Sequence, residues 1–252
     1  MNYFFGGQHN LIQSKLQIPL FQNRNINNNI IKLFQLEIKN NLWIMEKLSP
    51  NIINSDFYEI DDIDNQKIFF LSDEKDIKNF NSQELVNVSD FTETFPEFRA
   101  NLNMYLRNGG FSSYQSEYPF NMVNKKGTIL TPINTLLNKG ADENILIFRN
   151  IFFKPIKKKF VANFIDIKQK KIIKEISFFT NTTNFFEIDD KLLDPNIYLS
   201  TQEFIGIPIY LSIKNKHLSM EHTHPPHEYF FGKNKFKNVK MLKDRINEIF
   251  NK

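Results

Sequence analysis

The residues best suited to chemistry lie in a short stretch near the end of the chain. Three of the five histidines, His222, His224 and His227, fall within six residues, and Glu221 and Glu228 flank them. A His-x-His pair on a strand directs two imidazoles to one side, which is a common beginning of a zinc or iron site. The stretch therefore predicts a Zn or Fe site in which the three histidines are ligands and one of the two glutamates is a base.

The surroundings of these histidines follow from the alternation of the preceding segment. Residues 207–213 have isoleucine or leucine at every second position, and residues 214–217 form a polar connection. Continuing the period pairs His222 with Ile209 and places both His222 and His224 on the apolar face. Burial there would lower the imidazole pKa and favour the neutral form that binds metals. Without a metal, the same rings would close one end of a sandwich by bonding loop carbonyls.

Two known signatures resemble this stretch. The residues beginning at His222 are similar to the first cupin motif, His-x-His-x3-Glu, and to the His-x-His-x-Asp-His motif of metallo-β-lactamase-like hydrolases. Either resemblance implies a metal-dependent activity. The cupin glycines and a further downstream histidine are missing, however, and Pro226 stands where the hydrolases have aspartate. Neither family is assigned.

A second polar set surrounds the turn at residues 108–110. Residues 100–106 alternate between apolar and polar side chains, and residues 111–118 return as the second strand of a hairpin. With Tyr105 facing Ser113, one face of this hairpin would be entirely polar; it is either the solvated face of a sheet or a surface suited to a sugar, a carboxylate or a phosphate. The candidate ligand-binding residues are Arg99, Tyr105, Arg107, Ser113, Gln115 and Glu117.

The segments that must position these residues are mainly strand-like. Residues 1–95 lack a clean period and predict a mixed α/β region, whereas residues 96–252 predict an antiparallel β-sandwich closed by a C-terminal amphipathic helix. Pro208 favours an edge position or a bulge for its strand. The helix is expected to follow a cap at Asn238 and to pack its apolar stripe on the sandwich, or to contact a protein partner. The stripe comprises Val239, Leu242, Ile246 and Ile249.

The amino-acid composition indicates the cellular compartment of the protein and the kinds of partner it can bind. The chain has no cysteine, which excludes disulfides and thiolate metal sites. It has no signal-peptide pattern and no apolar run of membrane-spanning length, so we expect a cytoplasmic protein without a membrane span. The net charge of +4 is a weak excess. The basic run at residues 154–159 is either a solvated connection or a contact for nucleic acid or lipid, and the sequence does not clearly indicate a nucleic-acid partner.

Two functions remain as hypotheses. In the first, an accessory β-sandwich protein binds a polar small molecule, a carbohydrate or a protein partner through His222, His224 and the hairpin. In the alternative, the protein is a Zn- or Fe-dependent enzyme that uses the histidine stretch.

Overall fold

The protein is built mainly from β-strands. The computed structural model describes residues 1–19, 31–49, 51–53, 57–61, 63–89, 100–125, 129–222 and 235–251. Within these residues, strands β1 to β18 form four antiparallel sheets, and a helix follows them. The prediction of a mainly β, antiparallel fold with a C-terminal helix is confirmed.

Two five-stranded sheets are formed by residues before 120. Sheet 1 contains β1 (Asn2–Phe5), β3 (Ile31–Lys39), β4 (Leu42–Leu48), β7 (Ile68–Asp73) and β10 (Tyr118–Pro119), in the order β10-β1-β7-β3-β4. Sheet 2 contains β2 (Ile12–Pro19), β5 (Asn51–Ile53), β6 (Phe57–Asp61), β8 (Asn101–Leu106) and β9 (Phe111–Gln115), in the order β5-β6-β2-β8-β9. In the described part of residues 1–95, a 3-10 turn at Asp76–Asn79 accompanies the strands.

Two four-stranded sheets follow. Sheet 3 contains β11 (Ile129–Pro132), β13 (Lys159–Asp166), β14 (Lys171–Phe179) and β16 (Ile197–Thr201), in the order β11-β16-β13-β14. Sheet 4 contains β12 (Glu143–Arg149), β15 (Thr183–Glu187), β17 (Ile207–Lys214) and β18 (His217–His222), in the order β15-β12-β17-β18. Further 3-10 turns lie at Phe120–Met122 and Asp190–Leu192.

Hydrogen-bonded strand pairs cross the predicted boundary near residue 95. Strand β2 pairs with β8, and β1 pairs with β10. Side chains from all four sheets also share one apolar cluster. The division into residues 1–95 and 96–252 stays a prediction, and the described strands on its two sides are in direct contact.

Sheet 4 is an inner layer of the protein. Strands β12 and β17 are buried along almost their whole length, which is typical of strands covered on both faces. On one face Phe148 stacks on Phe178 of sheet 3, with ring centroids 4.9 Å apart. On the opposite face Arg149 lies over the Phe5 ring of sheet 1. Strand β17 lies between β12 and β18, so of the two alternatives predicted from Pro208 the edge position is wrong. On the β12 side the register runs through Pro208, opposite Phe148. The described pairing with β18 begins at Ile209, and a proline is tolerated near such a strand end.

The C-terminal helix α1 (Lys235–Phe250) packs on sheet 3. Ile246 and Ile249 are buried against Ile165, as predicted, whereas the side chains of Val239 and Leu242 lie outside the described part. The helix begins three residues before the cap predicted at Asn238, because the preceding lysines and phenylalanine are all compatible with helix. Among the described residues, no helix is long and apolar enough to cross a membrane.

A buried arginine joins sheet 4 to the N-terminal strands. Arg149 is fully buried, and its Nη1 donates to the Asn65 carbonyl at 2.6 Å and to Thr183 Oγ1 at 3.1 Å. Its Nε and Nη2 find no hydrogen-bond partner among the described residues. Burial lowers the pKa of Arg149 to about 9, and Tyr118 and Asp64 only partly oppose this effect.

Replacing Arg149 with methionine is expected to stabilise the protein by about 1–2 kcal/mol, because an uncompensated buried charge is removed. The Asn65 carbonyl would still accept the Thr183 N–H at 2.7 Å and the Thr182 hydroxyl at 3.1 Å. Urea unfolding of wild type, Arg149→Met and Arg149→Lys would measure the change, with the lysine variant as the charged control. A loss of stability above about 2 kcal/mol in the methionine variant would contradict this account.

Candidate functional site

One face of sheet 2 carries mainly polar side chains, most of them at least partly exposed, with Asn103 buried among them. In β2, the alternating residues Ile12, Leu16 and Ile18 are buried, so the residues between them point outward. The register places outward residues of β6, β8 and β9 beside them. This polar face comprises Gln13, Lys15, Gln17, Glu59, Asp61, Asn101, Asn103, Tyr105, Phe111, Ser113 and Gln115.

An aromatic pair lies at one end of the polar face. Tyr105 is directly opposite Phe111, and their rings stack with centroids 5.6 Å apart and an interplanar angle of 23°. Phe111 is 62% exposed, the highest value among the exposed large apolar side chains of the described residues. The two stacked rings together present an aromatic surface to solvent at this end of the polar face.

The hairpin register differs from the predicted one. Tyr105 faces Phe111 instead of Ser113, Asn103 faces Ser113, and Asn101 faces Gln115. The Leu106 N–H bonds the Gly110 carbonyl, so the chain reverses within residues 107–109 and the strands pair two residues closer to the turn. A shift of two residues preserves the faces, so Ser113 and Gln115 still lie beside the β8 amides. The predicted entirely polar face is wrong in one respect, since it includes Phe111.

An ion network occupies the middle of the polar face. Lys15 Nζ lies 2.8 Å from Glu59 Oε1 and 3.3 Å from Asp61 Oδ1. Gln17 Nε2 donates to Glu59 Oε2 at 2.9 Å. The Glu59 hydrogen bond is the main cause that raises the pKa of Lys15. Burial alone would raise the pKa of Glu59, but the hydrogen bonds from Lys15 and Gln17 outweigh burial and lower it. Both groups are therefore charged near neutral pH.

An open pocket lies between this network and the aromatic pair. Its volume is about 490 Å³, and Gln13, Ser14, Lys15, Asp61 and Tyr105 line it. This volume is within the range of small-molecule sites. Of the candidate ligand-binding residues predicted from the sequence that lie in the described part of the chain, Tyr105 alone lines this pocket. The remaining residues of the lining come from β2 and the end of β6.

Strand β18 confirms the predicted register of the histidine hairpin. His222 is opposite Ile209, Met220 is opposite Leu211, and Leu218 is opposite Ile213. The half-buried His222 ring contacts Tyr114 edge-to-face, with centroids 4.5 Å apart. The histidine hairpin and the polar hairpin are therefore neighbours in space.

The two hairpins do not contribute to one surface, however. Tyr114 lies between Ser113 and Gln115 in β9, and its side chain is buried on the inner side of sheet 2. His222 therefore packs behind the polar face and does not lie on it. The exposed Glu221 is opposite Tyr210, so it points to the other side of its strand from His222. The expectation that His222 and the hairpin residues line one site is not supported by this geometry.

The tips of the two hairpins touch. The Gly110 N–H donates to the Lys216 carbonyl at 2.7 Å. A Cβ at Gly109 would lie 2.5 Å from the same carbonyl oxygen. Glycine at this position therefore allows the edge of sheet 2 to approach the edge of sheet 4, and this contact holds β9 and its aromatic pair in place.

The other candidate residues occupy different environments. Arg107 is exposed beyond the end of β8, and its Nε donates to the Asn10 carbonyl at 2.9 Å. Glu117 follows β9 and is buried. Arg99, His224, His227 and Glu228 lie outside the described residues.

Within the described part of the chain, no group of three or more histidine, aspartate or glutamate side chains could hold a metal ion. The proposed ligands His224 and His227 and the proposed base Glu228 are not in that part. The Zn or Fe site therefore stays a prediction.

Comparison with known proteins found no match: no family model, no curated protein and no solved structure matches the chain.

The sequence interpretation missed half of the polar face. Gln13, Lys15 and Gln17 alternate with buried apolar residues in β2, which is a local signal of an outward strand face. Glu59 and Asp61 gave no such signal, because their segment shows no alternation and Asp61 belongs to an acidic run that predicts a turn. Their pairing with β2 depends on contacts about 44 residues apart in the chain.

Proposed function

We propose that the protein binds a neutral saccharide or a similar polyol on the polar face. The observation that carries this proposal is the Tyr105–Phe111 pair, in which Phe111 is exposed and Tyr105 half-buried, beside a row of amide side chains. A sugar has an apolar ring face that packs on aromatic rings and hydroxyl groups that exchange hydrogen bonds with amides. Asparagine and glutamine suit hydroxyl groups because each amide both donates and accepts.

The charge distribution favours a neutral ligand over an anionic one. The single ammonium of Lys15 faces two carboxylates, Glu59 and Asp61. A carboxylate or phosphate ligand would have to compete with both of them for the same cation. A polyol can instead accept a hydrogen bond from Lys15 and donate to Asp61 without adding charge.

The same network favours binding over catalysis. A general base works best when its pKa lies near the operating pH, whereas the pKa of Glu59 is lowered. Its carboxylate is also held by Lys15 and Gln17. The polar face thus resembles a preorganised recognition surface, in agreement with the accessory role expected from the sequence.

An array of neutral and acidic oligosaccharides, probed with the full chain, tests this proposal. Phe111→Ala is expected to weaken binding of the recognised neutral saccharide at least about tenfold, equivalent to roughly 1.4 kcal/mol. Because Phe111 is highly exposed, the variant should keep its unfolding midpoint. Phe179→Ala is the matched control, since Phe179 is an exposed phenylalanine of sheet 3.

Two results would overturn the proposal. One is the absence of binding to every neutral saccharide on the array. The other is binding that falls equally in the Phe111 and Phe179 variants, which would show that the aromatic pair has no special part in recognition.

A further inference from the structure

The positive charge of the chain is concentrated in one hairpin. Residues 154–175, which we call the lysine hairpin, contain eight lysines and two acidic residues. The remaining residues have 24 basic and 26 acidic side chains. The lysine hairpin therefore has a net charge of +6 and the remaining residues have a net charge of −2, which together give the +4 of the whole chain. A polyanion would be attracted to this segment, whereas the remainder of the chain is nearly neutral and offers no comparable attraction.

The acidic residues near the lysine hairpin leave most of its charge uncompensated. Asp166 is buried, and its Oδ1 accepts the backbone N–H groups of Lys168 and Gln169 at 2.8 and 2.7 Å. Among the described residues, Lys158 pairs with Glu203 and Lys170 lies 3.6 Å from Glu248. No ion pair there involves the other six lysines, and these are exposed.

The loop that presents the first lysines is fixed by buried side chains. Asn181 Nδ2 donates to the carbonyls of Lys154 and Ile156, at 2.8 and 3.0 Å. Thr180 Oγ1 donates to the Ile156 carbonyl at 2.7 Å and accepts the Lys158 N–H at 2.8 Å. A solvated linker needs no such anchoring. A fixed backbone lowers the entropy lost when several lysines bind one partner.

The lysines lie near both ends of the β13–β14 pair, although the register places Lys159 on the outward face beside Phe179 and Lys174 beside the buried Phe164. Strand β13 pairs with the edge strand β14 from Lys159, opposite Phe179, to Asp166, opposite Lys171. Seven residue steps along a strand span roughly 23 Å. Lysines flank this length at both ends, which suits an extended chain of phosphates better than a single compact anion.

We propose that the lysine hairpin binds the phosphate backbone of a nucleic acid. Its cations are all lysines, which act as point charges and lack the planar fork that reads guanine, so binding would not depend on base sequence. A membrane surface fits less well. Interfacial binding buries an apolar face by about 5–10 Å, whereas the exposed apolar side chains of the β13–β14 hairpin, Val161, Ile173 and Phe179, lie within its strands and not on a protruding loop. This proposal concerns sheet 3 and does not depend on saccharide binding by sheet 2.

Fluorescence anisotropy with labelled oligonucleotides of about 20 nucleotides, single-stranded and duplex, tests the proposal at several salt concentrations. The wild-type chain should bind, with a slope of log affinity against log salt of about −3 to −5. The variant Lys157→Gln/Lys159→Gln/Lys171→Gln/Lys174→Gln should bind at least about thirtyfold more weakly and with a shallower slope. The control Lys75→Gln/Lys78→Gln/Lys125→Gln/Lys216→Gln removes the same charge from other exposed positions and should weaken binding less than about threefold.

Three outcomes would overturn the proposal. The first is no binding to either oligonucleotide at low salt. The second is an equal loss of affinity in both quadruple variants, which would reflect net charge alone. The third is binding to vesicles rich in phosphatidylserine without binding to the oligonucleotides, which would assign the surface to membranes. Retention of the wild-type unfolding midpoint checks that both variants are folded.

Discussion

Replacing Gly206 with alanine is expected to destabilise the protein by about 3 kcal/mol. Gly206 immediately precedes β17, in the inner sheet 4. An added Cβ would lie 2.5 Å from Cε1 of the Phe148 ring and closer still to the Arg149 carbonyl oxygen. Neither group can move away easily, because Phe148 is stacked in the core and Arg149 belongs to a strand with neighbours on both sides.

Gly140→Ala provides a control with a different physical cause. Gly140 has a φ of 84°, and nothing lies within 4 Å of the position that a Cβ would occupy. Alanine there strains the backbone without a clash, at a cost of about 1 kcal/mol. Urea unfolding of both variants would measure the difference. If Gly206→Ala lowers the free energy of unfolding by no more than Gly140→Ala does, then β12 and β17 are not packed as closely as described.

Alkaline pH is expected to destabilise the protein steeply above about pH 10. Tyr3, Tyr118 and Tyr210 are fully buried, and burial raises the pKa of each of them far above its ordinary value. In the unfolded chain these phenols ionise near pH 10, whereas in the folded protein they stay neutral. Above that pH the unfolded state binds fewer protons, so stability that is fully present below pH 10 is lost. Ionisation of these three phenols in the unfolded chain alone lowers the free energy of unfolding by about 4 kcal/mol per pH unit.

Arg149 acts in the opposite direction. Its folded-state pKa is lowered to about 9, so between this pH and its ordinary value the unfolded state binds more protons. Stability therefore rises by about 1.4 kcal/mol per pH unit from pH 9 upward and offsets part of the tyrosine effect. The net expectation is a small rise from about pH 9 to 10, followed by a loss of about 3 kcal/mol per unit.

Urea midpoints measured from about pH 8 to 11 test this pH profile. Tyr210→Phe should reduce the net loss per pH unit by about half, since one of three phenols is removed while the opposing Arg149 effect remains, although it also removes the 3.1 Å hydrogen bond between the Tyr210 hydroxyl and Thr131 Oγ1. Arg149→Met should abolish the rise and make the loss steeper. A stability that stays constant to about pH 11 in wild type would contradict the burial of these tyrosines.

Local patterns predicted most strands after residue 96 and the described part of one register. Residues 207–213 and the polar connection after them determine a hairpin by themselves, and His222 indeed lies opposite Ile209. Residues 160–167 and 172–180 are rich in isoleucine and phenylalanine and are joined by a polar connection, which predicts a hairpin, and β13 and β14 lie close to these bounds. In both hairpins the partner strand is the next segment of the chain, so alternation and turn residues suffice to define the pair.

Features that depend on distant segments were not predictable in the same way. Strand β2 pairs with β8 across more than eighty residues, so no local pattern shows that Lys15 lies beside Asn103. The separation of His222 from the polar face likewise depends on how sheets 2 and 4 meet at Gly110 and Lys216. The β8–β9 register is local, yet it was not predicted correctly, because the hydrogen bond between the Leu106 N–H and the Gly110 carbonyl shortens the turn by two residues.

The most direct test of the account is to locate the saccharide on the protein. Amide chemical shifts of the labelled full chain would be recorded by NMR as the neutral saccharide selected on the array is added. Binding to the polar face predicts the largest shifts in β2, β8 and β9 and their loss in Phe111→Ala. Shifts confined to residues 217–222, or to strands of sheet 3, would contradict the assignment of the polar face as the binding site.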